Sequence, residues 1–288
     1  MLGLNLFLMI ECPSCSRGRS LKIEEHILLQ SRVNWTKETI CQSCSCKFSL
    51  IDGIIQSIIS ENVFSEWSFI SDIQLSGDAE ITIGKTHEIQ LGRDVPIINK
   101  IYLTCMNSYA DVFPISYSGN FFRIISSQAD GGTPLGEKQT VSWLLYGRSA
   151  DIAIDIWRQL LVYAKEEILQ KQYTLALLSC AIAFESFVDS LLGKLFKSKG
   201  IVSEASNIIL ETIPSIYTKV HKLLNFMDNI LFKDDSVINK NWQKLVEKRN
   251  LIAHGSDVNV SREEAKGSFE TVVRGIFYIL ERTSTIQD

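Results

Sequence analysis

The stretch EKRNLIAHGSD, residues 247–257, contains the end of a predicted helix, and this helix end carries a cluster of polar side chains. Asn250 and His254 are four residues apart, so they share one face of a helix, and the long side chain of Arg249 can reach the same side. Gly255 is well placed to end the helix in a left-handed conformation. Either the cationic side chains simply favour the negative end of the helix dipole, or the cluster is a site.

Helical periodicity surrounds this stretch over residues 151–288. Apolar residues recur at helical spacing across residues 152–168, and the run at residues 173–196 is apolar around most of its circumference, as in a central helix. The last helix is predicted by a capping box, in which Ser261 is followed three residues later by Glu264. Because the connections are short, neighbouring helices are expected to be antiparallel, which predicts an all-α bundle.

One acidic residue stands in the middle of the most apolar run. Glu185 lies close to Phe184 and Phe187 in the sequence. Its carboxylate is expected either to share a polar stripe with Asp189 or to point into a site. The stripe is the favoured interpretation, because solvated positions are the usual place for carboxylates.

The polar cluster at the end of a bundle helix resembles the HEPN superfamily, whose domains are helical bundles with an Arg-x4–6-His motif, often with Asn after the Arg. Here the motif reads Arg249-Asn250-Leu-Ile-Ala-His254, and the resemblance covers residues 151–288. It implies a metal-independent ribonuclease that acts as a dimer, as in toxin–antitoxin, CRISPR and anti-phage systems. HEPN toxins controlled by a nucleotidyltransferase antitoxin typically carry Tyr two residues after the His. Ser256 stands at that position here, so this modification is not expected.

The residue types suit RNA cleavage without a metal. His254 has the side chain whose ordinary pKa allows proton transfer near neutral pH, and Arg249 supplies a fixed cation for the charge that develops on phosphorus. Asn250 is expected to orient the phosphate or the His. Attack by the ribose 2′-OH would leave a 2′,3′-cyclic phosphate. Residues 214–254 carry seven Lys or Arg against four Asp or Glu, which is either a phosphate-binding patch or a solvated face.

Residues 61–150 have a different sequence pattern, in which short β-type runs are separated by turn residues such as those of QADGGTPLGEK. Closely spaced strands of this kind predict an antiparallel sheet, possibly a small sandwich. Asp111, Arg123 and His87 occur singly and are each interpreted as solvated. The segment predicts no catalytic site.

Five of the seven cysteines fall within residues 12–46, as the motifs CPSC and CQSCSC. Two C-x-x-C pairs predict a metal site in a reducing compartment rather than disulfides. The pattern resembles a zinc ribbon over roughly residues 10–60, with one structural zinc held by Cys12, Cys15, Cys41 and Cys44. Four thiolates leave no open coordination position for a substrate.

The sequence around the second cysteine pair contributes two further expectations. Cys46 is the spare cysteine. The segment KFSLI, followed by Asp52-Gly53 and IIQSII, predicts a β-hairpin with a two-residue turn.

Composition limits the classes of protein to which this chain can belong. The 288 residues carry a net charge of −4, with 45% hydrophobic and 22% charged residues, which is ordinary for a soluble globular protein and gives no global attraction to nucleic acid or membrane. The apolar opening MLGLNLFLMI lacks a basic region, so we expect a buried strand, or a native start at Met9, rather than a signal peptide. A cytoplasmic protein with no membrane partner is expected.

The sequence as a whole predicts a multidomain α+β protein. Its three parts are a zinc ribbon (residues 1–60), a β-rich domain (residues 61–150) and a HEPN-like helical bundle (residues 151–288). The predicted function is a metal-independent endoribonuclease that acts as a toxin or anti-phage effector on RNA, as a homodimer, with a possible antitoxin or defence-system partner. Zinc is the only cofactor expected, and it takes no part in catalysis. The alternative is a non-catalytic RNA- or protein-binding scaffold.

Overall fold

The computed structural model describes residues 7–22, 38–60, 67, 70–105, 110–129, 131–151, 153–256 and 258–283. The chain forms two compact units. One unit comprises Met1–Glu66 and Ile154–Asp288, and the other comprises Trp67–Ala153. The protein is therefore of mixed helix and strand composition, as predicted, and the N-terminal segment groups with the C-terminal helices. The predicted division at residues 60 and 150 stays a prediction.

The N-terminal segment consists of two short hairpins and one helix. The elements are β1 (Phe7–Glu11), β2 (Gly18–Lys22), β3 (Glu38–Ile40), β4 (Lys47–Ser49) and α1 (Leu50–Ile59). β1 pairs with β2 and β3 pairs with β4, both antiparallel. The first hairpin turn contains Cys12 and Cys15, and the second contains Cys41, Cys44 and Cys46, so the fold places both C-x-x-C pairs at hairpin tips.

The hairpin predicted around Asp52-Gly53 is wrong, because this segment forms helix α1. The Ser49 side chain caps the helix by accepting a hydrogen bond from the Asp52 N–H at 3.1 Å, and the Ser49 hydroxyl donates to the Asp52 carboxylate at 2.6 Å. The isoleucines at positions 51, 54, 55 and 58 are all buried and have helical spacing. The cap and this spacing outweigh the Asp-Gly turn signal.

The unit Trp67–Ala153 contains the predicted antiparallel strands, in two three-stranded sheets. The strands are β5 (Ile73–Thr82), β6 (Thr86–Gln90), β7 (Ile97–Cys105), β8 (Ala110–Ser118), β9 (Phe121–Gln128) and β10 (Lys138–Arg148). Their order is β5-β10-β7 in one sheet and β6-β9-β8 in the other. Both sheets contribute to one hydrophobic core, in which the rings of Phe122 and Trp143 lie 5.4 Å apart.

Of the three single polar residues of this unit, Asp111 is exposed, as predicted, and the other two have structural partners. The His87 Nε2 accepts a hydrogen bond from the Thr82 N–H at 2.8 Å across the β5–β6 turn. Arg123 pairs with Glu88 at 2.9 Å on neighbouring strands. His87 is therefore a half-buried residue of β6 that is bonded to the preceding turn, rather than a solvated one, and Arg123 is paired with a single carboxylate.

The C-terminal part of the chain is helical. Its elements are α2 (Ile156–Leu169), α3 (Tyr173–Ser198), α4 (Ser203–Thr212), α5 (Ile216–Thr218), a π-helical turn (Lys219–Leu223), α6 (Leu224–Asp228), a 3-10 turn (Phe232–Asp234), α7 (Ser236–Ala253) and α8 (Arg262–Arg282). Helix α3 contacts α2, α8 and α7. The capping box predicted at Ser261 and Glu264 is confirmed.

Helix α3 lies at the centre of these contacts. The Phe184 ring lies 5.6 Å from the Phe232 ring and 5.8 Å from the Trp242 ring. α3 is also long and apolar enough to cross a membrane by length and composition, with a mean hydropathy of 1.8 over an 18-residue window. Because 56% of that window is buried inside the protein, its apolar character is accounted for by packing against the other helices.

Helix α2 begins later than its sequence pattern predicts. It starts at Ile156, after Asp155 at the N-cap position. Ile156 was expected on the buried face, yet it is 65% exposed, and it is the neighbouring Trp157 that packs on α3, with its ring 5.3 Å from that of Phe187. The start of α2 therefore presents both an apolar and an acidic side chain to solvent.

Candidate functional site

Four cysteines from the two hairpin tips converge on one point. The Sγ atoms of Cys12 and Cys44 lie 3.6 Å apart, those of Cys15 and Cys41 lie 3.7 Å apart, and all four lie within 4.8 Å of one another. A tetrahedral zinc with Zn–S bonds of about 2.3 Å separates its sulfur ligands by about 3.8 Å. The donor set and spacing fit a four-thiolate metal ion, so these residues could hold one.

The two cysteine turns have equivalent backbones. In the first, the Ser16 N–H donates to the Cys12 carbonyl at 2.8 Å, and in the second the Ser45 N–H donates to the Cys41 carbonyl at 2.9 Å. Ser16 and Ser45 both adopt positive φ, at 53° and 59°. This left-handed conformation is unfavourable for a non-glycine residue, so its repetition at the same place in both turns indicates a common structural requirement.

The thiol of Cys41 is prepared for deprotonation. Hydrogen bonds from the backbone N–H groups of Cys44 and Ser43 lower the pKa of Cys41 to about 6, and a thiolate is the form that binds a metal. Cys46 is not part of the cluster, as predicted. Its Sγ accepts from the Ser14 hydroxyl at 3.0 Å.

The cysteine module is attached to the helices by a buried cation. The Lys165 ammonium of α2 donates to the carbonyl of Ile58, the penultimate residue of α1, at 2.8 Å. Nearby, burial raises the pKa of Glu11, against the lowering effects of a Ser60 hydrogen bond and the Lys165 charge. The end of α1 and the strand before Cys12 are therefore fixed to α2.

The second candidate site lies where helix α7 ends. The Gly255 N–H donates to the Ile252 carbonyl and the Ser256 N–H donates to the Leu251 carbonyl, both at 3.0 Å, and Gly255 has φ +77°. This pair of bonds is a Schellman motif, as the sequence predicts for Gly255. His254 is the C-cap residue and is exposed.

An ion pair fixes the end of α7 to the start of α8. Lys248 donates to the carboxylate of Glu264, whose other oxygen accepts from the Ser261 N–H in the capping box at 2.8 Å. These hydrogen bonds, first the one from Lys248, lower the pKa of Glu264 to about 2. The end of α7 near Lys248 is thereby held close to the first turn of α8.

Arg249 of the motif forms an ion pair with Glu185, the acidic residue in the apolar helix α3. The Arg249 guanidinium donates to the Glu185 carboxylate at 3.2 Å and to the Asn250 side-chain oxygen at 3.1 Å. Both side chains of the ion pair are less than one-third exposed. Glu185 shares the partly exposed face of α3 with Asp189, as the favoured interpretation expects, and its carboxylate also contacts the motif arginine. The separation of 64 residues hides this pairing from sequence patterns.

A second ion pair continues from Glu185 along α3. Lys219, buried in the π-helical turn, lies 2.7 Å from the carboxylate of Asp189, one helical turn after Glu185. π-Helical turns often occur at functional sites. Burial raises the pKa of Glu185, while Arg249 and Lys219 lower it and Asp189 raises it further. Two carboxylates and two cations thus form one network beside the motif.

The His254 ring differs from its neighbours in having no side-chain partner. Within residues 153–256 and 258–283, no hydrogen bond or ion pair involves this ring. Arg249 and Asn250 are held in place, whereas the His is accessible. The arrangement provides an oriented cation and an accessible group that can transfer protons.

Comparison with protein-family models, with curated proteins and with solved structures finds no match for this chain. The two sites are therefore interpreted from their own residues and geometry.

The raised pKa of Glu185 leads to a prediction about pH. A carboxyl group whose pKa is higher in the folded state makes folding less favourable as pH rises from its unfolded value of about 4.5 through the folded value. We therefore expect the free energy of unfolding of the wild type, relative to Glu185→Gln, to decrease across this range. Urea denaturation of both proteins between pH 4 and 8 measures it. A relative stability that increases with pH would contradict this assignment.

Proposed function

We propose that this protein is a HEPN-type, metal-independent endoribonuclease, with catalysis carried by His254 and Arg249. The observation that supports this most is the Arg249–Glu185 ion pair, which holds the motif cation on α3 and leaves His254, five residues later at the end of α7, accessible. Cationic side chains that only interacted with the negative end of the α7 dipole would not need a carboxylate from another helix.

The proposed reaction is an internal phosphoryl transfer. His254 takes the proton of the ribose 2′-OH, the 2′-oxygen forms a bond to phosphorus, and the bond to the 5′-oxygen breaks. Arg249 stabilises the additional negative charge on the phosphate oxygens. The leaving 5′-oxygen receives a proton from a second, protonated imidazole, namely the His254 of a second copy of the chain. The products are a 2′,3′-cyclic phosphate and a 5′-hydroxyl.

Exposed apolar side chains near the motif support a homodimer. Leu251 of α7 is 52% exposed and follows Asn250 directly, and Leu175 and Ile182 are exposed on α3 at a spacing of seven residues, which places them on one face. Burial of such side chains between two copies would bring two motifs together.

We expect light scattering of the full-length protein at micromolar concentration to give twice the chain mass of 32.5 kDa. Leu175→Asp, which places a charge in the proposed interface, should shift the protein toward monomer and reduce cleavage in parallel. Val237→Asp changes an apolar residue that is 67% exposed, against 49% for Leu175, at the start of α7, and it should leave the dimer intact. A monomeric wild type that cleaves RNA would contradict the two-motif site.

The four-cysteine cluster is proposed to hold one structural zinc per chain. Four thiolates satisfy the metal, so no coordination position remains for substrate. RNA cleavage is therefore proposed to continue in EDTA under conditions where the N-terminal module keeps its zinc.

The proposed biological role is that of a toxin or anti-phage effector in the cytoplasm, acting on RNA and controlled by a protein partner. Expression of the wild type and of His254→Ala in the same host tests this role. Toxicity that is lost with His254 supports it, and toxicity that survives the substitution unchanged contradicts it.

A non-catalytic scaffold remains the second candidate, and one observation favours it. The Arg249 guanidinium already donates to two protein groups, which leaves fewer donors for a phosphate than a free arginine offers. A scaffold would bind RNA or protein without cleaving it. Absence of cleavage by a dimeric, zinc-loaded protein that binds RNA would select this alternative.

A further inference from the structure

Strand β8 carries a row of large apolar side chains that the protein leaves exposed. Phe113, Ile115 and Tyr117 are 55%, 52% and 62% exposed, and Ile125 of β9, which pairs with Phe113 across the ladder, is 39% exposed. None of these four residues belongs to the hydrophobic core of their unit. We call them the β8 patch. Contiguous exposed apolar patches on a protein surface often mark interaction sites.

The four edge strands of the two described sheets, β5, β7, β6 and β8, differ in how they are protected. The edge of β7 is covered by the chain that precedes β5, because the Asn99 side chain donates to the Ile70 carbonyl at 2.8 Å. β5 and β6 carry charged side chains, among them Glu80 and Glu88, and charge on an edge strand opposes the approach of another chain. β8 has no charged residue over positions 112–118.

The backbone of β8 is not suited to regular strand addition. Pro114 has no N–H to donate, and the register with β9 shifts between Pro114 and Ser116, which leaves Ile115 as an extra residue. Proline and bulges are usual means by which edge strands avoid indiscriminate pairing. A partner of β8 must therefore be recognised mainly through side chains.

Two carboxylates flank the β8 patch. Asp111 is exposed at the start of β8. Asp94 is also exposed, and its carboxylate lies against Gly119, directly after the end of β8. Among the described residues of the chain, neither carboxylate forms an ion pair. Residues 67–153 as a whole carry nine Asp or Glu against six Lys or Arg, so the surroundings of the patch are acidic.

This charge argues against two kinds of occupant. The phosphates of a nucleic acid need cations, whereas the patch is flanked by carboxylates. In a two-fold antiparallel contact between the β8 strands of two copies, Asp111 of each copy would lie beside Asp94 of the other, and like charges that face each other are destabilising. A partner with cationic residues is complementary to the patch.

We propose that the β8 patch binds an extended segment of a partner protein, in which apolar side chains at alternate positions lie between two cationic residues. Asp111, Phe113, Ile115, Tyr117 and Gly119 occupy every second position of the chain. An extended segment has the same two-residue repeat, and the distance from Asp111 to Gly119 corresponds to about 27 Å, or about nine residues, of such a segment. This binding does not depend on the proposed ribonuclease function.

Fluorescence anisotropy with the full-length protein and labelled synthetic peptides tests the proposal. The probe is a nine-residue peptide with lysine at both ends, valine at the third, fifth and seventh positions and threonine elsewhere. Because its two ends are alike, it can bind in either direction. The comparison peptide has glutamate in place of both lysines. We expect the lysine peptide to bind at least about tenfold more tightly, since each end exchanges a repulsive for an attractive contact.

Variants of exposed residues separate the two parts of the patch. Tyr117→Ser should weaken binding of the lysine peptide at least about tenfold, as expected for a central aromatic contact. Leu135→Ser is its matched control, since Leu135 is an exposed apolar residue of the same unit outside the patch, and it should bind as the wild type does. The double variant Asp94→Asn, Asp111→Asn should bind both peptides equally, whereas Glu137→Gln, at another exposed position, should keep the preference.

Four results would overturn the proposal. Two are equal affinities of the wild type for the two peptides, including affinities weaker than about 1 mM for both, and lysine-peptide binding that is unchanged in Tyr117→Ser. Tighter binding of a fluorescent single-stranded oligonucleotide, lost in Tyr117→Ser, would assign the patch to nucleic acid instead. Self-association that is lost in Tyr117→Ser and kept in Leu135→Ser would assign it to a second copy of the chain.

Discussion

Replacement of His254 by Ala is expected to reduce cleavage of single-stranded RNA in EDTA by about 10²–10⁴-fold, the usual loss when a general acid–base group is removed. The fold should survive, because the hydrogen bonds that end α7 involve backbone groups of Gly255 and Ser256, and the imidazole is exposed. Rates measured on a fluorescent RNA, together with urea denaturation, give both results. Asn241→Ala, at another exposed position of α7, is the control and should retain full activity.

The same experiment distinguishes the three motif residues. Arg249→Ala should be comparably damaging, and it also leaves the half-buried Glu185 without its cation. Asn250→Ala should cost less, because Asn250 contacts the guanidinium rather than supplying a charge. A mixture of His254→Ala and Arg249→Ala proteins should not regain full activity if both motifs act on one phosphate. An unchanged rate for His254→Ala would leave the histidine with only a structural role at the helix end.

Local rules account for the features that sequence predicts correctly. Each C-x-x-C pair, the capping box at Ser261 and the helix end at Gly255 depend on residues within a few positions of one another, and only the meeting of the two cysteine pairs spans 26 to 32 residues. The backbone turns that bring thiolates or caps together are short and stereotyped. For this reason the assignment of Cys12, Cys15, Cys41 and Cys44 to one cluster agrees with the structure.

Features that depend on distant residues could not be predicted in the same way. Helical spacing correctly places Glu185 on one face with Asp189, but it gives only the face and not the neighbour, and the contact to Arg249 spans 64 residues. The error at Asp52-Gly53 has a local cause. A two-residue turn signal was given more weight than the helical spacing of four isoleucines, whose burial decides the outcome.

Loss of the zinc that we propose for the cysteine cluster is expected to have the largest effect on structure. The two hairpins have strands of only five residues in β1–β2 and three residues in β3–β4, and isolated hairpins of this size bury too little apolar surface to be stable alone. Structural zinc in small modules contributes about 10–16 kcal/mol of apparent binding free energy. The positive φ values of Ser16 and Ser45 add a conformational cost that the metal would offset.

We therefore expect purified protein to contain one zinc per chain and Cys41→Ser to contain far less. Hydrogen exchange of Cys41→Ser should show loss of protection at residues 38–49, while the central helix α3 keeps its protection because its core is formed by other helices. Cys46→Ser is the matched control, since Cys46 lies outside the cluster and contacts only Ser14 and the Lys47 carbonyl. It should retain both zinc and protection.

Two outcomes would separate a metal site from a coincidental grouping of thiols. A wild type with well under one equivalent of zinc and freely titratable thiols would reject the site. Full protection of residues 38–49 in Cys41→Ser would show that the hairpins are held by packing alone. Loss of protection both at residues 38–49 and at the end of α1 would identify the Lys165 hydrogen bond to Ile58 as the connection between the module and the helices. Lys165→Met should then reduce protection at the end of α1 while residues 38–49 stay protected.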